Sequence, residues 1–301
     1  MLCSLLGRNR QAYYWRLAAD DRESFGAELL MQEVISIRRE QKRIGTRKLY
    51  LMTRVFRDEH TIEIGRDAFF ELLREEGLLI RKRRSRRPRT TFSCWWKKRY
   101  PNLIKELEIE EANRVWVSDI TYVRVGEGFA YLSLITDAYS RKIVGYCLYR
   151  SLSSKGCIKA LRMALKANLE RESLIHHSDR GLQYYSSRYI KLLGRAHISM
   201  SEKSDPLENA IAERVNGILK DELLEKGYQS YTEASRAVET AVGVYNQLRP
   251  HSSVEMLTPA EAHSRKGRLQ RHWKSYRTGK VWAPPPASAG GGTQTVNRIQ
   301  D

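Results

Sequence analysis

A chain of 301 residues is long enough for two compact domains, so burying a sizeable core is no difficulty. Its 53 Lys and Arg against 35 Asp and Glu leave a formal charge of +18, which favours a polyanion, nucleic acid first, over a neutral small molecule. Cys3, Cys94, Cys147 and Cys157 form no C-x-x-C pair and have no His at zinc spacing, which argues against a disulfide framework or a zinc knuckle and for a reducing cytoplasm, and no run approaches the roughly 20 apolar residues of a membrane span.

Residues 1–80 read as an α-helical unit. Apolar residues recur at helix spacing in Leu29, Leu30, Val34 and Ile35 and again in Phe69, Phe70, Leu72 and Leu73. Two stretches suit a helix-turn-helix: Leu2 to Leu6, Gly7, then Asn9 to Leu17; and Thr46 to Val55 followed by Arg66 to Glu76. Any α domain offers such pairs, but the basic setting of Arg8, Arg10, Arg47 and Lys48 turns the reading toward DNA. Gly77 to Ile80 reads as a helix stop and a short strand. Residues 81–105 then form a basic linker, in which Arg81, Lys82, Arg83, Arg84, Arg86 and Arg87 are candidate DNA contacts. The nearby Phe92, Trp95 and Trp96 could stack on bases or pack on the next domain.

From about Arg114 the period changes to two. Val115, Val117, Ile120, Tyr122 and Val123 read as a buried strand, followed by strands over Phe129 to Ile135 and Lys142 to Tyr149, an antiparallel meander. A helix is expected from about Ser154 to Leu169, a short strand from Leu174 to His177, a helix from Ser187 to Leu193 and a strand from Ile198 to Ser201. Long helices complete the unit at about Leu207 to Glu225 and Thr232 to Gln247. Strands followed by alternating strand and helix predict an α/β domain with a mixed sheet over 106–263. The rest, 264–301, is basic and rich in Pro and Gly, a composition that cannot build a core and is expected to be disordered.

Three acids stand out. Asp119 interrupts an apolar strand, where an ionised carboxylate is costly unless it is paired or binds a metal. Asp179 follows a short strand in His176-His177-Ser178-Asp179-Arg180-Gly181, at a strand end where sheet folds present ligand-binding groups. Glu213 sits on a helix. Each has a plain alternative, respectively a paired strand acid, a turn former and a surface residue. Together they are the hard oxygen ligands that two divalent ions need when a phosphodiester is cut or transferred.

The surroundings of these acids resemble a known family. Asn113-Arg114-Val115-Trp116-Val117-Ser118-Asp119-Ile120-Thr121-Tyr122, His177 to Tyr184, Ser199 to Glu213, and Tyr245-Asn246-Gln247-Leu248-Arg249-Pro250-His251 with Leu257 to Ala262 follow one another in order. From about residue 100 to 262 the chain thereby resembles the catalytic half of insertion-sequence transposases of the IS-three group, whose core looks like retroviral integrase. The helical unit resembles the same proteins more loosely, through Gly45-Thr46-Arg47-Lys48-Leu49 and Leu72 to Leu78.

The resemblance implies an RNase H-like mixed five-stranded sheet with flanking helices, preceded by the helix-turn-helix domain. It implies Asp119, Asp179 and Glu213 as catalytic metal ligands, with two Mg²⁺ ions or Mn²⁺ as substitute. The reaction would be in-line cleavage of DNA at element ends, followed by attack of the freed 3′-OH on a second phosphodiester. The setting would be double-stranded DNA in a bacterial, nucleoid-associated cytoplasm, with a homo-oligomer on DNA and a small upstream helix-turn-helix protein as fusion or partner. An inert DNA-binding remnant and a nuclease without strand transfer are the alternatives. One departure concerns the spacing: 33 residues separate Asp179 from Glu213, two fewer than the group usually has. Glu208 is the competing third ligand, but five residues turn a helix by about 500°, so only one of the two glutamates can face the site. Lys220, seven residues beyond Glu213, shares its helix face and could contact a DNA phosphate or pair with Glu213. Asp137 reads as a turn acid and His177 as a packed strand residue.

Overall fold

The computed structural model describes residues 10–80, 100–105, 107–168, 172–201 and 209–270, with side chains of the first helix from Phe25 onward. The linker residues 81–99, the tail from 271 and the loop 202–208 that contains Glu208 lie outside the described residues. So does the first half of the proposed amino-terminal helix-turn-helix.

Among the described residues four helices make the helical unit: α1 (Arg10–Glu40), α2 (Thr46–Met52), α3 (Arg54–Glu59) and α4 (Arg66–Glu75). Leu30, Met31 and Val34 of α1 pack on Ile44, Leu49, Phe69 and Leu73, a small core of their own. Two expectations need correction. The helix expected over Asn9 to Leu17 does not end at Leu17, because Arg10 opens a continuous helix of 31 residues. Thr46 to Val55 is broken at Thr53, whose hydroxyl donates to Leu49 O at 2.9 Å while Arg54 starts α3. The expected helix stop at Gly77 is a Schellman turn: Gly77 has φ +65°, its N–H donates to Arg74 O, and Leu78 N–H donates to Leu73 O at 2.8 Å. The short strand expected after it does not form. Leu78 and Leu79 instead pack back on the helical core.

The second unit is a five-stranded sheet of order β3-β2-β1-β4-β5, built from β1 (Val115–Val125), β2 (Gly128–Asp137), β3 (Ile143–Tyr149), β4 (Ile175–Ser178) and β5 (His197–Met200). The first three strands are the antiparallel meander, and β4 and β5 extend it in parallel on the other side of β1. Helices α5 (Ser154–Ala167) and α6 (Ser187–Leu193) cover one face, where Trp116 and Ile135 meet Cys157, Leu161 and Tyr189. The other face, with Val123, Leu132 and Leu134, packs on Val215 and Ile218 of α7 (Ala210–Ile218) and on Val238 and Tyr245 of α8 (Tyr231–Gln247). Helix α7 was expected to run on to Glu225. It passes instead into a π turn over Leu219–Leu223 and ends there.

The helix α5 lies close on β3 because Gly145 has no side chain. A Cβ at 145 would stand 2.3 Å from Ala160 O and 3.0 Å from Ala164 Cβ. Gly145→Ala is therefore expected to cost roughly 1–3 kcal/mol through overpacking, read as a lower urea midpoint at unchanged slope.

Asp137 closes the β2–β3 turn, as its setting predicts. It is fully buried and accepts from Asn113 N at 2.7 Å, from Ser140 N at 2.8 Å and from Ser140 Oγ at 2.6 Å. The short helix α9 (Pro259–His263) starts on a Thr258–Glu261 capping box and brings His263 Nδ1 to within 3.0 Å of Ser140 Oγ.

Candidate active site

The parallel register of β1 and β4 sets the first two acids side by side. Ser118 is the partner of Ser178, so Asp119 and Asp179 each follow one residue beyond that pair on neighbouring strands, which lie about 4.8 Å apart in a sheet. Asp119 shares its strand face with Val115 and Val117, which pack against Ala212 and Ile211 of α7. That packing lays α7 on the face of β1 that carries Asp119.

Helix α7 turns one stripe toward β1. Asn209, Glu213 and Asn216 recur at i, i+4 and i+7. Asn209 Nδ2 donates to Ser118 O at 3.1 Å, and Asn216 Nδ2 donates to Asp119 Oδ2 at 2.7 Å. The two amides bracket Glu213 and pin its helix to the strand that carries Asp119. Glu213 itself is exposed, and its charge acts on Asp119. The loop after β4 is held by short-range bonds. Asp179 Oδ1 accepts from Gly181 N at 3.0 Å, and Arg180 Nε donates to Ser201 O at 2.8 Å. Behind the strands His176 Nε2 lies 2.7 Å from Ser118 Oγ and 2.8 Å from Tyr189 Oη, and burial holds its pKa down at about 3, so it is a neutral packing residue. His177 is also buried, with Nδ1 2.8 Å from Ser199 Oγ.

The electrostatics are those of acids without enough positive charge. Burial raises the Asp119 pKa to about 7, and the negative charges of Asp179 and Glu213 add to the effect. Hydrogen bonds from Ile120 N and Asn216 oppose it. Burial likewise raises Asp179, against the Gly181 hydrogen bond. Among the described residues no three His, Cys, Asp or Glu side chains already stand in a coordination shell. The donor set nonetheless fits a divalent cation: hard carboxylate oxygens that repel one another, half-buried, with the acceptor Asn216 Oδ1 buried beside them and without a hydrogen-bond partner among the described residues.

The remaining expected contacts fall in different places. Lys220 Nζ lies 3.5 Å from the ring centroid of Tyr122, three residues along β1 from Asp119. Arg47 is exposed on α2. Lys48, next to it, turns toward the sheet unit and is half-buried beside Arg249, Glu222 and Arg214. Arg81, Lys82, Arg83, Arg84, Arg86 and Arg87 lie outside the described residues. Sequence reasoning missed Asn216. An amide three residues after a candidate helical ligand, on the same face, is the signal that could have found it.

The block Tyr245 to His251 holds no acid and builds the support behind the site. Asn246 uses its amide like a backbone unit, accepting from Ile143 N at 2.9 Å and donating to Ile143 O at 3.0 Å, which covers the free edge of β3. Arg249, 1% exposed, donates through Nε and Nη2 to both oxygens of Glu222 in the π turn, each at 2.8 Å.

Comparison with known proteins bears on the same residues. The integrase core domain family matches residues 109–204, and a second integrase core domain family matches 195–259. An uncharacterized 31 kDa protein of insertion element IS600 from Shigella sonnei is 34% identical over 266 residues, covering 86% of this chain and 96% of that protein. A putative transposase for insertion sequence element IS986/IS6110 from Mycobacterium tuberculosis is 31% identical over 227 residues, 72% of this chain and 80% of the relative. Among solved structures, the HTLV-2 integrase catalytic core domain in complex with magnesium aligns with 51% of this chain and 97% of its own, at 19% identity and a TM-score of 0.39.

Proposed function

The chain belongs to the insertion-sequence transposases with an integrase core domain, and from that premise we propose that its DNA cleavage and strand transfer run on Asp119, Asp179 and Glu213. The observation that carries the assignment is the Ser118–Ser178 register, with α7 pinned over Asp119 by Asn209 and Asn216. Two Mg²⁺ ions, or Mn²⁺ in their place, would be held by the three carboxylates and would activate the attacking oxygen and stabilise the leaving one. Asp119 within β1 and Asp179 just past the end of β4 would supply the inner oxygens. Glu213 would add the third carboxylate from α7, while Asn216 Nδ2 and Ile120 N–H, one on each oxygen of Asp119, fix how that carboxyl is turned. Water attacks first at the element end, and the freed 3′-OH then attacks a second phosphodiester, so no covalent enzyme intermediate is needed.

The helical unit at 1–80, the basic linker at 81–105 and the catalytic unit at 106–263 divide the work in this reading, with the tail at 264–301 outside it. Arg47, Lys48, Lys220 and the linker cations Arg81, Lys82, Arg83, Arg84, Arg86 and Arg87 would neutralise phosphates of double-stranded DNA. Joining two ends calls for a homo-oligomer on DNA, with a small upstream helix-turn-helix protein as a further partner in a bacterial, nucleoid-associated cytoplasm. An oligonucleotide assay with Mg²⁺ and labelled element ends tests the reaction. Joined product is the expected result, nicks alone would make the chain a nuclease, and retarded but uncut DNA would make it a binding protein.

Asn216→Leu tests the support of the site. It is expected to weaken Mg²⁺ by roughly 10–100-fold, the usual cost of removing a partner that orients a metal ligand. The measurement is the Mg²⁺ concentration giving half-maximal joining, together with the Mg²⁺-induced rise in melting temperature. An unchanged Mg²⁺ requirement would remove Asn216 from the site.

A further inference from the structure

Among the described residues, α5 covers only part of its face of the sheet. Ile120, Ser133 and Cys147 stand in register across β1, β2 and β3. Helix α5 lies over them: Ser133 Oγ is 3.4 Å from Cys157 Sγ, and Ile120 and Cys147 pack on the core beneath the helix. Two residues further on, side chains return to the same face, and the next row is Tyr122, Tyr131 and Tyr149, again in register. The cover gives out at this row. The first turn of α5 reaches it at Tyr149, whose Cβ would stand 3.1 Å from a Cβ on Gly156, and all three tyrosines stay half-buried. Phe129, the register partner of Arg124 in the row beyond, is 50% exposed and meets the Tyr122 ring edge-on, with centroids 5.2 Å apart.

Cations flank the rings. Lys220 Nζ lies 3.5 Å from the Tyr122 ring centroid and Lys159 Nζ 5.3 Å from that of Tyr149, so each end of the row carries an ammonium. The row also runs on from the acids. Tyr122 is three residues, about 10 Å, along β1 from Asp119. It points to the opposite face, but β4 stops pairing with β1 at Ser118–Ser178 and the bridge to Tyr228 comes only at Val125, which leaves an edge of β1 open between them among the described residues. Lys220 crosses there: its π turn follows α7, which packs on the Asp119 face, and its ammonium reaches Tyr122 on the other. Half-exposed rings with ammoniums at both ends are the combination that holds nucleic-acid bases by their ring faces and phosphates by charge. Bases within a duplex stack on one another, so such rings take unpaired ones. We propose that Tyr122, Tyr131, Tyr149 and Phe129 form a stacking platform for unpaired bases of the DNA strand that passes the Asp119 cleft, with Lys220 and Lys159 on its phosphates. A base that takes the Tyr122 ring face leaves the Lys220 ammonium beside the neighbouring phosphate. The proposal rests on the reading of that cleft as the DNA site.

The test uses the full chain and two fluorescent probes with the same duplex, one blunt and one carrying a short single-stranded tail, with anisotropy followed across a salt series. Wild type should prefer the tailed probe. Tyr122→Ala and Phe129→Ala are each expected to weaken the tailed probe roughly 5–30-fold and to leave the blunt probe within about twofold. The slope of log affinity against log salt should stay the same, because no cation is lost. Tyr122→Trp, which keeps a ring face, should keep the affinity. Phe129 is half-exposed next to the hairpin turn and can be truncated without opening the core, so a Tyr122→Ala protein that fails to fold leaves the test standing. Equal wild-type affinity for the two probes, or wild-type binding of the tailed probe by the alanine variants, would overturn the platform. So would equal losses on both probes, and so would a changed mass in light scattering with tailed binding intact, which would give the face to a second copy of the chain. The reading of the cleft fails separately: wild-type protein that binds neither probe overturns both, whereas duplex binding with joining abolished by Asp119→Asn upholds the cleft whatever the ring variants do.

Discussion

Asn in place of Asp119 is expected to lower cleavage and joining in Mg²⁺ by about 10³-fold or more, since metal-held carboxylates account for several kcal/mol of transition-state stabilisation at roughly 1.4 kcal/mol per tenfold. Duplex binding should stay close to wild type, because phosphates are held by cations elsewhere. The same substitution has a second, opposite signature. The Asp119 carboxyl titrates at an ordinary 3.8 when unfolded and at about 7 when folded. Between those values the folded chain therefore binds more protons than the unfolded one, and stability falls as pH rises through that window. Metal-free wild type should melt lower at pH 8 than at pH 5, Asp119→Asn should flatten that part of the profile and melt higher than wild type at pH 8, and Mg²⁺ should stabilise wild type most at the alkaline end. An Asp119→Asn protein that still joins DNA at the wild-type rate would sink the assignment of the site.

The second large effect concerns stability alone. Glu222→Ala strips Arg249, 1% exposed, of both carboxylate bonds and leaves it with Pro250 O at 3.4 Å. Removing one partner of a buried ion pair costs on the order of 3–5 kcal/mol, because the other charge stays buried. Urea unfolding should show the loss, and the double replacement Glu222→Leu with Arg249→Met should recover much of it. A cost below about 1 kcal/mol, as for exposed pairs, would mean that Arg249 finds solvent once its partner is gone.

Much of the catalytic unit was legible because its signals are local. The meander follows from alternation between Val115 and Tyr149, and α6 was placed at its observed ends, Ser187 and Leu193. Where the reading went astray, a longer-range contact decided the outcome. Leu78 to Ile80 read as a short strand, but a Schellman turn folds Leu78 and Leu79 back on the helical core. Leu219 to Leu223 carry an ordinary helical pattern, and the chain widens there into a π turn in which Glu222 meets Arg249, a residue far along the chain. Lys48 stands in a basic stretch of the sequence, and only the fold shows that it is half-buried, next to Leu49 in the small core.

By itself the sequence determined the order of elements, the excess of positive charge and the presence of Asp119, Asp179 and Glu213 in their family setting, since each is carried by residues close together in the chain. Only the tertiary structure decided that Asp119 within β1 lies beside Asp179 at the end of β4, that Asn209 and Asn216 bind α7 to β1, and that Gln41 and Lys42 of the helical unit meet Leu248 and Glu225 of the catalytic unit. Sheet register and helix docking are set by which apolar faces can be buried together, and that depends on the whole packed core rather than on any one stretch.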